Sequence, residues 1–178
     1  MQVAEVRALY DYNAWANARI LRTAARVTGE QFVAPAAFSQ GGLRGTLLHT
    51  LGAERIWRER LQGVPLSPPL READFPDVGT LAARWREEEG RLDAYLATLR
   101  DEDLHREVRS TTRAGESVAD TLWYLLAHVV NHGTQHRSEA ALLLTQAGRC
   151  PGEIDLIFFA EDVAAGRLPG PLASTSAA

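Results

Sequence analysis

The chain has 178 residues, of which 46% are hydrophobic, so its length and composition predict a single domain that buries its own core. Its one cysteine, Cys150, excludes an internal disulfide and a zinc site made of several cysteines. The net charge of −4 argues against a nucleic-acid surface, and the absence of lysine excludes lysine-based catalysis.

The sequence contains neither a secretory signal nor a membrane-spanning segment. The first residues lack the basic and apolar segments of a secretory signal, and no window approaches the roughly 20 apolar residues of a membrane helix. The sequence therefore predicts a soluble, cytoplasmic protein. Its expected partner is a small-molecule substrate, with neither nucleic acid nor membrane.

Four long segments show the apolar periodicity of amphipathic helices. They are residues 4–26, 43–62, 80–99 and 118–147. The linker 63–78 contains four prolines and could span about 50 Å when extended, whereas the second helix is only about 30 Å long. The linker can therefore cross the whole domain, which lets the second and third helices run parallel.

Shorter features lie between and after these helices. The sequence predicts a loop at 28–42, a helical turn at 101–104, a small hairpin at 107–116 and a short helix at 154–164. Residues 166–178, mostly Gly, Pro, Ala, Ser and Thr, are expected to form a disordered tail. Four amphipathic helices without a convincing β framework predict an all-α four-helix bundle over residues 1–165, with a long crossover between its second and third helices.

The fourth predicted helix carries three histidines, His128, His132 and His136, each four residues after the last. This spacing places the three imidazoles on nearly one face of the helix, and neutral imidazole is the commonest transition-metal ligand. His128 and His136 are about 12 Å apart along the helix axis, too far to bind one ion together. Spacing alone leaves two pairs open, 128/132 and 132/136.

A third ligand is expected from another helix. His49 is the candidate, because it is the one histidine of the second predicted helix and lies beside its apolar stripe. His105 follows a polar turn and is predicted to face solvent. Three histidines with open positions are typical of a catalytic metal site. A di-iron site needs two Glu-x-x-His motifs, and the single match, Glu102 to His105, lies off the long helices.

Three pieces of the sequence carry a resemblance to a known family. They are Tyr12-Asn13-Ala14-Trp15-Ala16-Asn17; Leu47-Leu48-His49 with Glu54, Trp57 and Gly63; and His128 to Arg137 with Gly148, Pro151 and Asp155. Their order and spacing, over about residues 5–160, resemble the DinB/YfiT-like superfamily of metal-binding four-helix bundle proteins.

The resemblance implies a metal site and an activity. It implies that His49, His132 and His136 bind a divalent metal, zinc or nickel, and that His128 is a core residue or a neighbour of the ligands. It also implies a homodimer and a metal-dependent transferase that uses a low-molecular-weight thiol of the bacillithiol or mycothiol type. A metal-dependent hydrolase and a non-enzymatic metal-binding stress-response protein are the alternatives. Many relatives have His-Arg-Gly-Gln where this chain continues to Glu139, so contacts of that turn are expected to differ.

No residue is assigned a catalytic or cofactor-binding role from the sequence. Glu54 is the one candidate for a general base, but an exposed position on its helix is the favoured interpretation. Tyr12, Trp15 and Trp57 could line a pocket, although aromatic residues at helical spacing favour a core position. Cys150 is expected to be an incidental thiol.

Overall fold

The computed structural model describes residues 1–111 and 117–168, which are mostly helical with a small two-stranded sheet. The helices are α1 (Val3–Ala24), α2 (Gly29–Val33), α3 (Leu43–Gln62), α4 (Val78–Ala97), α5 (Leu122–Gln146) and α6 (Leu156–Ala164). Short 3₁₀ turns lie at Glu72–Asp74 and Asp101–His105, and strands β1 (Glu107–Thr111) and β2 (Ser117–Thr121) pair antiparallel. Across these described ranges, no helix combines the length and apolar character needed to cross a membrane.

Helix α3 has the bounds that the sequence predicts, because a glycine lies at each end. Gly42 precedes the helix, and Gly63 ends it in the left-handed conformation with φ 68°, which glycine adopts without a Cβ clash. Helix α1 begins one residue before its predicted start, and α4 begins two residues before its own. Both helices end two residues before their predicted ends.

The prediction that the fourth long helix begins at Val118 is wrong. Residues Ser117–Thr121 form β2 and pair with β1, so that Val108 lies opposite Asp120, and the helix begins only at Leu122. The backbone N–H of Leu122 donates to the carbonyl of Arg106 at 2.9 Å, which extends the pairing to the first residue of the helix. Two antiparallel strands are therefore present, as predicted, but the second strand begins at Ser117, after the predicted range of 107–116. Residues 112–116 lie outside the described residues.

The predicted loop at 28–42 contains the short helix α2. Thr28 and Gln31 form a reciprocal capping box at its start, and Phe32 is 1% exposed. Five residues are too few to show an amphipathic period, so the sequence pattern missed this helix. Of the predicted tail, residues 169–178 lie outside the described residues.

The apolar core forms two clusters along the long helices. One cluster contains Tyr10 of α1 with Leu61 and Leu96, which lie near the ends of α3 and α4. The other contains Leu47 and Trp85, from the first halves of α3 and α4. Since both helices contribute their ends to one cluster and their beginnings to the other, α3 and α4 run parallel.

Between the two clusters lies a buried polar network that joins α1, α3, α4 and α5. Arg137, 2% exposed, donates to the side-chain oxygens of Asn13 and Asn17. The amide nitrogens of these asparagines donate to Oε1 of Glu54 at 2.7 and 3.0 Å, and the Trp85 indole donates to Oε2 at 2.8 Å. A buried cation and a buried anion are thereby joined through two asparagine side chains, which lowers the free-energy penalty of burying both.

Gly133 on α5 leaves the space that this network occupies. A Cβ placed on Gly133 would lie 2.7 Å from Nη1 of Arg137 and 2.9 Å from Oδ1 of Asn13. Both distances are shorter than a van der Waals contact, so a side chain here would displace the guanidinium from its asparagine acceptors.

We expect Gly133→Ala to lower the free energy of unfolding by about 1–3 kcal/mol, because overpacking disturbs the buried network. An ordinary glycine-to-alanine change in a helix interior is stabilising by about 0.5–1 kcal/mol. Gly90→Ala in α4 is the matched control, since a Cβ there meets nothing within 4 Å. Urea denaturation of both variants tests this, and equal stabilisation by the two substitutions would contradict it.

Candidate metal centre

Three histidine side chains from two helices meet at one point. His49 comes from the second turn of α3, and His132 and His136 come from successive turns of α5. One ring nitrogen of each lies within 4.8 Å of the others, and the Nε2 atoms of His49 and His132 are 3.3 Å apart. Tetrahedral ligands with bonds of about 2.0–2.1 Å are separated by about 3.4 Å. The closest pair already has this separation, so the donor set fits a divalent metal ion.

The structure separates His128 from this cluster. His128 is exposed, and its ring packs edge-on against Trp57 with centroids 5.1 Å apart. The centroid of its ring is 5.7 Å from that of His132. Of the two roles that the resemblance implies for His128, the structure therefore favours a neighbour of the ligands over a core residue. Of the two pairs left open by spacing, the pair 132/136 is the one that His49 joins. His105 is exposed, as predicted.

Glu139 fixes the orientation of His136. The Nδ1 atom of His136 lies 2.7 Å from Oε2 of Glu139, and the Ser39 hydroxyl donates to the same oxygen at 2.5 Å. Nδ1 is thereby engaged, which leaves Nε2 of His136 for a metal. A carboxylate that accepts from a metal-ligating imidazole orients the ring and increases its basicity. The sequence marked Glu139 only as a departure from its relatives, although its i,i+3 spacing from His136 could have indicated this contact. Its second partner, Ser39, lies 100 residues away and gives no local signal.

The electrostatics of the cluster favour an uncharged imidazole at His132. Burial, followed by the neighbouring His136 and His49, lowers the pKa of His132 to about 4. At neutral pH the His132 ring is therefore neutral and keeps a lone pair. Burial raises the pKa of Glu139, but hydrogen bonds from Ser39 and His136 outweigh it and lower the pKa overall. Glu139 is therefore a carboxylate that can accept from Nδ1–H.

The cluster forms part of the wall of a cavity of about 440 Å³. His49 and His132 line the cavity, whereas His136 is 5% exposed and does not. The apolar part of the wall comes from Leu48, Ile56, Trp57 and Leu70. A ligand in this cavity would reach the two lining histidines directly.

Among the other residues weighed in the sequence, Glu54 lies where it was not expected. Glu54 is 1% exposed and belongs to the buried network, so the expectation of an exposed helix residue is wrong. Burial raises the pKa of Glu54 overall, although its N–H donors and Arg137 act in the opposite direction. Trp57 lines the cavity, whereas Tyr12 is 4% exposed in the core. Cys150 is exposed and does not line the cavity.

Comparison with known proteins assigns the family. The model of the DinB family matches residues 1–165. The chain is also 30% identical over 152 residues to Protein DinB of Bacillus subtilis (strain 168). The aligned region covers 83% of this chain and 88% of that protein. The chain belongs to the DinB family.

We expect Glu139→Ala to weaken zinc binding by about 10–100-fold, because His136 loses the acceptor that orients it. Glu139→Gln should be intermediate, since its amide oxygen still accepts from Nδ1–H but carries no charge. Ser138→Ala, an exposed neighbour on α5, is the matched control. Competition with a chromogenic chelator measures the affinities. Equal zinc affinity in Glu139→Ala and Ser138→Ala would show that Glu139 does not support the site.

Proposed function

We propose that this DinB-family protein is a metal-dependent enzyme acting on a small molecule. In this proposal a four-helix bundle of α1, α3, α4 and α5, with a long α3–α4 crossover, holds one divalent ion through His49, His132 and His136. The observation that carries the proposal is the convergence of three imidazoles, two of which line a 440 Å³ cavity.

The position of the histidines favours a catalytic over a purely structural ion. Three protein ligands leave at least one coordination position open, which is typical of catalytic zinc sites. The cavity beside His49 and His132 would let an exogenous ligand reach that position. Imidazole ligands suit both zinc and nickel, and we propose zinc first because three histidines with an open position are a known catalytic zinc arrangement.

The composition of the cavity wall favours an exogenous nucleophile. Within the described part of the chain, no Cys, Ser, Thr, Tyr or Lys side chain lines the cavity. A bound ion would lower the pKa of a thiol or of a water molecule at its open position. We propose that the ligand is a low-molecular-weight thiol, of the bacillithiol or mycothiol type that the family resemblance implies, which makes the protein a transferase. The protein's own part is to hold His136 through Glu139 and to keep the thiol against the apolar part of the cavity wall.

A homodimer is the second part of the proposal. Helix α6 exposes Leu156, Ile157 and Phe158 at 42, 57 and 37%, and these apolar side chains support a contact with a second copy. The cytoplasmic location and the lack of a nucleic-acid partner stay predictions.

We expect the purified protein to contain about one zinc per chain, since a three-histidine set holds a single ion. His49→Ala, His132→Ala and His136→Ala should lose this zinc, while the exposed His128→Ala should retain it. Elemental analysis measures the content, and circular dichroism checks that each variant is folded. Zinc retained in His136→Ala but lost in His128→Ala would contradict the ligand set.

Thiol binding distinguishes the transferase from a hydrolase. In the cobalt-substituted protein, a thiol that binds the ion should produce a sulfur-to-cobalt charge-transfer band. Hydrolysis of a test ester without any such band would favour a metal-bound water as nucleophile and contradict the thiol transferase.

A further inference from the structure

A buried arginine lies in the wall of the cavity beside the candidate metal centre. Arg55 on α3 is 5% exposed and lines the same cavity as His49 and His132. Its Nη2 atom donates to the carbonyl oxygen of Pro68 at 2.5 Å, and its Nε has no hydrogen-bond partner. Among the described residues, the ion pairs of this region involve other arginines, and none includes Arg55.

The other buried arginines of the long helices have more acceptors. Arg58 donates to both carboxylate oxygens of Glu88. Arg137 also has a buried Nε without a partner, but its two terminal nitrogens donate to two asparagines and a threonine in the network opposite Glu54. Arg55 has a single backbone carbonyl as acceptor, so it has the fewest hydrogen bonds of the three.

Neither acid of this region is reserved for Arg55. Glu59 accepts hydrogen bonds from the backbone N–H and the hydroxyl of Ser67, at 2.9 and 2.7 Å. Burial raises the pKa of Glu59, but these hydrogen bonds and then the charges of Arg55 and Arg58 lower it overall, so this one carboxylate is shared by two arginines. Glu72 lines the cavity, but Arg44 binds its carboxylate at 2.5 Å. The protein therefore supplies Arg55 with no free carboxylate in the cavity.

A guanidinium that is removed from water needs an anion or several acceptors to replace its hydration. We infer that Arg55 is the receptor for a carboxylate group on the small molecule that binds at the candidate metal centre. This inference rests on the proposed function and names the chemical class of its ligand.

The geometry of α3 defines the shape of that ligand. Arg55 lies six residues after His49, which is about 9 Å along the helix axis. Gly52 lines the cavity between them, and a Cβ there would meet nothing within 4 Å. Leu48, Ile56 and Trp57 supply apolar parts of this wall, and Gln40, Arg60 and Glu72 supply polar parts. The ligand therefore has a carboxylate at one end, an apolar stretch, and its reacting group at the metal. The carboxylate belongs either to the thiol or to its co-substrate.

A pair of mercaptans that differ only in one end group tests this inference. We expect cobalt-substituted protein to bind ω-mercaptohexanoate about 10–100-fold more tightly than ω-mercaptohexanol, because a buried guanidinium prefers the carboxylate. The charge-transfer band measures both affinities. Arg55→Met should remove the preference, and Arg55→Lys should restore part of it. The exposed Arg86→Met is the matched control and should keep the full preference.

Two results locate the carboxylate. A preference for mercaptohexanoate that depends on Arg55 places it on the thiol. Arg55-dependent binding of hexanoate to cobalt protein already saturated with mercaptoethanol places it on the co-substrate. Gly52→Leu should block either mode while metal content is unchanged, because it fills the space beside Arg55.

The same experiment separates this inference from the proposed function. If neither mercaptan produces a charge-transfer band, the thiol proposal fails, and Arg55 is then judged from the zinc protein with hexanoate and hexanol. Chemical shifts of the Gly52 amide report that binding. Arg55-dependent preference for hexanoate would support the carboxylate receptor. Equal binding of the charged and neutral probes, or a preference that survives in Arg55→Met, would overturn it.

Discussion

The buried network of Arg137, Glu54 and the two asparagines is the constraint on which the arrangement of the long helices depends. A cation from α5 and an anion from α3 lie in the protein interior, and Asn13 and Asn17 of α1 hydrogen-bond to both. Because an unpaired buried charge is strongly destabilising, a rotation of any of these helices would be opposed. The network therefore fixes which faces of α3 and α5 meet. It does so close to the histidines, because Glu54 follows His49 by five residues and Arg137 directly follows His136.

The metal centre is a direct consequence of this alignment. On α5, Arg137 points into the network and the preceding residue, His136, points into the histidine cluster. On α3, Glu54 binds the network while His49 reaches the cluster and lines the cavity. The same two helices thus carry a balanced pair of buried charges on one face and three metal-binding imidazoles on the next. Arg55 is the buried cation on this wall whose Nε has no hydrogen-bond partner, and we propose that it binds the carboxylate of a ligand.

The sequence was informative where the signal is local and silent where partners are distant. Histidines four residues apart and a helix bounded by glycines are both local features of the sequence. The structure brings His132 and His136 together, as the spacing of four residues allows. A single glutamate or arginine on an amphipathic helix is indistinguishable from a surface residue until its partners are known. The partners of Glu54 lie 31 to 41 residues away, and those of Arg137 on α1 lie 120 or more residues away. The start of α5 was missed because β2 is stabilised by pairing with β1.

The central claim is that His49, His132 and His136 bind one metal ion whose remaining position accepts a thiol. X-ray absorption spectroscopy of the zinc-loaded protein, before and after addition of ω-mercaptohexanoate, tests it most directly. We expect three imidazole nitrogens at about 2.0–2.1 Å, and a single sulfur at about 2.3 Å after the thiol is added. Fewer than three imidazoles, or a coordination shell that saturating thiol leaves unchanged, would contradict it.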